Sequence, residues 1–113
     1  MLISGDVVDL DLGTPTGREA GFLHPAVVVT AQRILDAAPN VIQVVPLTTT
    51  IRRFSSEVLI EPDDTNGLGH PSAAQCQHVR AVSTGRVESA RGNVGPASLT
   101  QIRDTIGLIL DLP

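Results

Sequence analysis

Helical apolar spacing marks one segment of this chain, the C-terminal one, where Leu99, Ile102, Ile106, Ile109 and Leu110 line one face behind the helix-start pair Gly95-Pro96. That helix should run to about Leu110. The chain before it reads as short strands and turns, which suggests a mainly β, α+β fold: a small twisted barrel with one helix packed on it.

The strands are read from β-branched runs and their punctuation. Val7 to Leu12 alternates, with Val8, Leu10 and Leu12 on one face and Val7, Asp9 and Asp11 on the other, the pattern of a half-buried strand. Pro25 to Ala31 forms a second strand, with Pro at its entrance where a missing amide donor is tolerated. Gln32 to Asn40 is polar and ends in a Pro39-Asn40 turn. Val41 to Val45 is a third strand that Pro46 should break, with Leu47 to Ile51 continuing as extended chain. Arg52-Arg53 connects to a strand at about Ser56 to Ile60, and Asp63 to Gly69 is a loop whose Asn66-Gly67 pair accepts positive φ. Ser72 to His78 and Val79 to Ser83 read as strand with a kink between them, Thr84-Gly85 as a turn, and Arg86 to Val94 as either a short strand or irregular chain.

Composition narrows what such a fold can do. The 113 residues make one domain, residues 1–113, and their 42% hydrophobic content includes two Phe but no Trp or Tyr, so the core must be aliphatic. Aromatics for base stacking are nearly absent. A formal charge of −4 argues against an unspecific polyanion binder and leaves room for a local basic patch. All eight cationic side chains are Arg, which fits a GC-rich coding bias as well as bidentate phosphate contacts. Cys76 alone cannot close an internal disulfide, and neither a signal-peptide pattern nor a membrane-length apolar run is present; a cytoplasmic protein is expected.

One stretch stands out for chemistry. Gly13 to Gly21 is long for a hairpin, rich in turn formers and expected to be mobile, and loops of that kind are often functional. Gly17-Arg18-Glu19-Ala20-Gly21-Phe22-Leu23-His24-Pro25 then runs directly into the strand Ala26 to Thr30. Glu19 and His24 therefore lie at the mouth of whatever that strand helps to build.

Gly5-Asp6-Val7-Val8-Asp9-Leu10-Asp11, Gly17-Arg18-Glu19, His24-Pro25-Ala26-Val27-Val28-Val29 and Val45-Pro46-Leu47-Thr48-Thr49 resemble, in order, the motifs of MazF/PemK-type toxins of type II toxin–antitoxin systems. Ser56-Glu57-Val58, Ala74 to Val82 and the ending Val94-Gly95 to Leu112 extend the resemblance over almost the whole chain. It implies an SH3-like barrel of about six or seven short strands and a homodimer with single-stranded RNA along the dimer groove. It also implies metal-independent endoribonuclease cleavage through the 2′-hydroxyl, leaving 2′,3′-cyclic phosphate and 5′-hydroxyl ends, with no cofactor. A cognate antitoxin would block the groove with a disordered tail.

Such cleavage needs a base for the 2′-hydroxyl, an acid for the leaving 5′-oxygen and donors for the phosphorane. The family's central positions map onto His24, Thr48 and Glu19. His24 is a departure, because the family has Arg there. Arg holds a phosphate with a charged fork, whereas an imidazole exchanges protons near neutrality, so His24 either does acid–base work or marks a weakened site. Without the resemblance His24 would read as a partly buried imidazole satisfied by a backbone carbonyl, Thr48 as strand filler and Glu19 as a solvated loop acid. With it, Thr48 donates to the scissile phosphate and Glu19 acts as a base or orients His24. Arg18, Thr49, Arg52, Arg53 and Arg80 are the RNA-binding candidates, with Arg86 a weaker one.

Metal sites are poorly supported. Asp9 and Asp11 share a strand face without a third ligand, and Cys76, His78 and His70 lack the close ligand pairs of zinc sites; a buried thiol and surface histidines are the simpler reading. Two alternatives stand beside the nuclease. One is a weakened family member that binds only RNA or antitoxin, and the other a gyrase-poisoning toxin of the same fold, whose pattern includes a Trp that this chain lacks.

Overall fold

The computed structural model describes residues 1–12 and 23–113. The loop candidates Arg18 and Glu19 lie outside the described residues.

The described strands are β1 (Asp6–Asp11), β2 (Leu23–Val28), β3 (Val41–Thr48), β4 (Glu57–Ile60), β5 (Ser72–Gln75), β6 (Arg80–Ser83) and β7 (Val87–Asn93). The α-helices among the described residues are a single turn, α1 (Gln32–Leu35), and the long C-terminal α2 (Gly95–Ile109). The strands form one antiparallel sheet in the order β4-β5-β3-β2-β1-β7, with β6 also paired to β3. It is a curled, small-barrel-like sheet rather than a closed barrel. The segment left open between strand and irregular chain is thus β7, the edge partner of β1.

Curling comes from β3. Along one side its residues Val41 to Val44 pair with β6, and Leu47 and Thr48 pair with β5. Pro46 sits at the changeover, and this corrects the expectation that it breaks the strand. In an antiparallel ladder donors alternate sides. The Val29 N–H donates to the Gln43 oxygen at 3.0 Å, so odd-numbered residues of β3 face β2 and Pro46 faces the gap between β5 and β6. No ladder bond is lost there.

β5 and β6 are joined across that gap by the 3-10 turn Cys76–His78, which is the kink read from the sequence. The Asp63 to Gly69 loop is pinned from within. Asn66, 1% exposed, donates to the Glu61 oxygen and accepts from the Asp63 and Leu68 amides, while the positive φ falls on Gly67.

The core is aliphatic, as expected, and lies on both faces of the central strands. Val7, Val27 and Val45 point to one cluster with Val58, Ile60, Leu99 and Ile102, the last two from α2. Val8, Leu10, Ala26, Val28, Ile42 and Val44 point to the other, which Leu35 of α1 helps to cover. Hence β1 is buried on both sides rather than half-buried. The first four residues of the polar segment Gln32 to Asn40 form α1, too short to show a helical period.

At the start of α2, Gly95 takes φ +86 and its N–H donates to the Asn93 side chain at 2.8 Å, and Pro96 fills the first turn. Arg103 then ties the helix to the sheet by donating to the Val29 and Thr30 carbonyls. Leu99 and Ile102 are buried, but the apolar stripe outlasts the core. Ile109, Leu110 and Leu112 stay exposed.

Candidate functional site

The β1–β2 register places His24 opposite Leu10 and Pro25 opposite Asp9. Side chains directly across a ladder share a face, so His24 stands over the face of the sheet to which Leu10 contributes. There a cleft of about 330 Å³ opens, lined by Leu10, Leu12, His24, Pro25, Ala26, Val44, Pro46, His78 and Arg80. Its floor is apolar and its three polar side chains are two imidazoles and a guanidinium.

Each of those three is delivered by a different element. His24 comes from the start of β2, His78 from the 3-10 turn that bridges β5 and β6, and Arg80, opposite Val44, from the start of β6. All three are exposed. The gap that accommodates Pro46 thus also lets the Cys76–His78 turn present His78 to the cleft. In a chain of net charge −4, this is a local concentration of groups that can bear positive charge.

Thr48 lies at the far end of β3, opposite Ala73 of β5, and its Oγ1 accepts from the Thr50 N–H at 3.1 Å. Continuing the register that pairs Ala26 with Pro46 by two residues sets Thr48 level with His24, at the same end of the β2–β3 ladder. Thr49 follows in an exposed bend. Arg52 and Arg53 are exposed on the connection to β4, where the Arg52 amide donates to Glu57 Oε1 at 3.2 Å. Arg53 lines a separate hollow with Phe54, Glu57 and Ala73. His24, His78 and Arg80 are therefore brought together with Pro46 of β3, whereas Thr48 is not among the residues lining that cleft and Arg53 lines a different hollow.

Other polar residues have structural work. The Arg86 guanidinium donates to the Asp11 backbone oxygen at 3.1 Å, beside the start of β2. Asp9 is buried and paired with Arg91, which accounts for it without a metal. Cys76 is fully buried, its thiol near the Ala74 oxygen, and burial pushes its pKa up to about 11. Among the described residues no group of three or more His, Cys, Asp and Glu could hold a metal ion. No helix among them is long and apolar enough to cross a membrane.

The sequence alone reads His78 as a surface histidine and does not show its place in the cleft. A signal was available, since His78 falls at the kink between two strand runs, but only the switch of β3 from β6 to β5 shows which face that kink serves.

The geometry invites comparison with known proteins. Residues 3–110 match the model of the PemK-like, MazF-like toxins of type II toxin–antitoxin systems. The chain is 33% identical to the endoribonuclease MazF9 of Mycobacterium tuberculosis, over 99% of this chain and 98% of the relative. Among solved structures, it is similar to an endoribonuclease in complex with its cognate antitoxin from a mycobacterial species, with TM-score 0.77, 22% identity and coverage of 100% of this chain and 98% of that one. MazE–MazF of Deinococcus radiodurans superposes with TM-score 0.75 at 19% identity, over 97% of this chain and 95% of that one. Sequence match along nearly the full length and a shared fold agree with the motif order, and the chain belongs to the PemK-like, MazF-like toxin family of type II toxin–antitoxin systems.

Proposed function

We propose that this toxin is an endoribonuclease that cleaves single-stranded RNA without a metal, through attack of the 2′-hydroxyl on the adjacent phosphate. The carrying observation is the cleft in which His24, His78 and Arg80 stand over an apolar floor next to the end of β3. The similarity to the endoribonuclease MazF9 supports the reading.

In it His24 transfers a proton, Thr48 donates a hydrogen bond to the scissile phosphate, and Glu19 assists from the loop. Arg18, Thr49, Arg52, Arg53 and Arg80 bind phosphates along the strand, where guanidinium forks suit phosphate oxygens. The products are a 2′,3′-cyclic phosphate and a 5′-hydroxyl. Residues 1–113 act as one toxin domain in the cytoplasm, inhibited by a cognate antitoxin that occupies the RNA groove.

The active species is a homodimer. A second groove of about 570 Å³, lined largely by apolar side chains including Val29, Ile34, Val79, Ile106, Leu110 and Leu112, is the face assigned to the second copy. Leu110 and Leu112 are 56% and 60% exposed there, more apolar surface than an isolated helix end needs.

Incubation of the purified protein with a long transcript in EDTA tests the function. Discrete cuts with cyclic-phosphate ends are expected. Retention of RNA without cuts would favour the weakened, binding-only reading that His24 motivates, and neither cutting nor retention would overturn both.

A further inference from the structure

Two protons move in the proposed reaction, and the cleft holds two imidazoles. Resting on the endoribonuclease reading, we infer that His78 is a catalytic residue, and that His24 and His78 together carry both proton transfers, with Arg80 neutralising the phosphate between them.

The step balances with these groups alone. One imidazole, neutral, takes the proton of the 2′-hydroxyl as the O2′–P bond forms. The other, as imidazolium, gives its proton to the 5′-oxygen as the P–O5′ bond breaks. The pair ends with its protonation states exchanged and needs no further reactant. Imidazole is suited to both halves because its charge change falls near neutral pH.

Three observations support the pair. His24 and His78 line the same cleft although they come from β2 and from the Cys76–His78 turn, 54 positions apart in the chain. Both are exposed, so neither is committed to the core. The cleft volume of about 330 Å³ lies within the range of pockets that enclose small ligands, so it can take one nucleotide unit with its phosphate against Arg80. Among the described residues the charged side chain that lines the cleft beside the pair is Arg80 on β6; Asp11 lies at the end of β1, outside the lining, with its backbone oxygen bonded by the Arg86 guanidinium. Val44 and Pro46 complete the β3 side.

The test compares wild type, His78→Gln, His24→Gln and His70→Gln on a short RNA across pH, with melting curves to verify folding. Wild type should give a bell-shaped rate profile. His78→Gln and His24→Gln should each lose one limb and about 10²- to 10⁴-fold in rate. His70→Gln, whose side chain does not line the cleft, should match wild type. On a substrate with sulfur in place of the bridging 5′-oxygen the leaving group needs no proton, so one of the two cleft variants, the one lacking the acid, should recover near-wild-type cleavage. Folded His78→Gln that keeps the wild-type rate and both limbs overturns the assignment while leaving the nuclease reading intact. So does sulfur rescue of both variants or of neither. Wild type that cuts no RNA at any pH overturns the reading beneath it.

Discussion

Asp9 and Arg91 meet across the β1–β7 ladder in a bidentate ion pair, Nη2 lying 2.8 Å and Nε 3.1 Å from Oδ1 while Nε is also 3.0 Å from Oδ2. Ser89 Oγ donates to the same carboxylate at 3.2 Å. The Asp9 side chain is only 11% exposed and Arg91 38%, so removing the guanidinium strands a buried charge. Arg91→Met should lower stability by about 2 kcal/mol, read from the urea midpoint. The double variant Asp9→Leu/Arg91→Met should recover most of that loss, because no charge is left behind. The hydrogen bond to Asp9 raises the Arg91 pKa above its ordinary value, so the guanidinium's contribution is fully present at neutral pH and is lost only as pH rises into strong base.

Where β7 passes the Asp63 to Gly69 loop, backbones come too close for a side chain. A Cβ at Gly92 would collide with the Thr65 backbone oxygen and lie 2.8 Å from the Asn66 carbonyl carbon. Gly92→Ala should cost about 2 kcal/mol or more, since backbone must shift to admit it. Gly69→Ala, with nothing within 4 Å of its Cβ, is the control and should stay within about 0.5 kcal/mol of wild type in the same denaturation experiment.

These two sites show why part of the fold was hidden in the sequence. The strand runs, the kink before β6 and the Pro-led helix announce themselves locally, through alternation and turn chemistry. Burial of Asp9 depends on an arginine 82 positions away, and the tolerance of Pro46 on two strands that share one side of β3. Neither leaves a local pattern. The candidate site divides the same way: flanking motifs single out His24 and Thr48 as candidates, while His78 becomes part of the cleft only once the turn is folded.

Cys76 supplies a pH prediction. Its thiol is fully buried and its pKa is raised from 9.0 to about 11 by desolvation. Above pH 9 the unfolded thiol releases its proton while the folded one keeps it, so the unfolded state gains and stability falls as pH rises. At about 1.4 kcal/mol per pH unit the loss between pH 9 and 11 is on the order of 2 kcal/mol. Denaturant midpoints should show that decline in wild type and a shallower one in Cys76→Val. The native thiol should also resist iodoacetamide at neutral pH.

The C-terminal apolar stripe is the basis of a test of assembly. If Leu110 and Leu112 close the groove against a second copy, Leu110→Glu/Leu112→Glu should convert a dimer to a monomer by light scattering, with little change in circular dichroism because neither side chain is buried within the chain. A wild type that is monomeric at every concentration, or a double variant that stays dimeric, would overturn that assignment.

His24→Arg separates the two meanings of this histidine. Arginine restores a fixed charge that can bind phosphate but cannot exchange a proton at neutral pH. If His24 transfers a proton, the substitution should reduce cleavage by about 10²-fold or more and remove one limb of the pH profile, while RNA binding and its salt dependence remain close to wild type. Arg80→Ala should do the opposite, weakening binding and flattening the salt slope by about one unit with the pH profile unchanged in shape. Higher activity in His24→Arg would mean that the histidine is a handicap at a site still built for an arginine, and the proton-transfer role would then have to lie elsewhere.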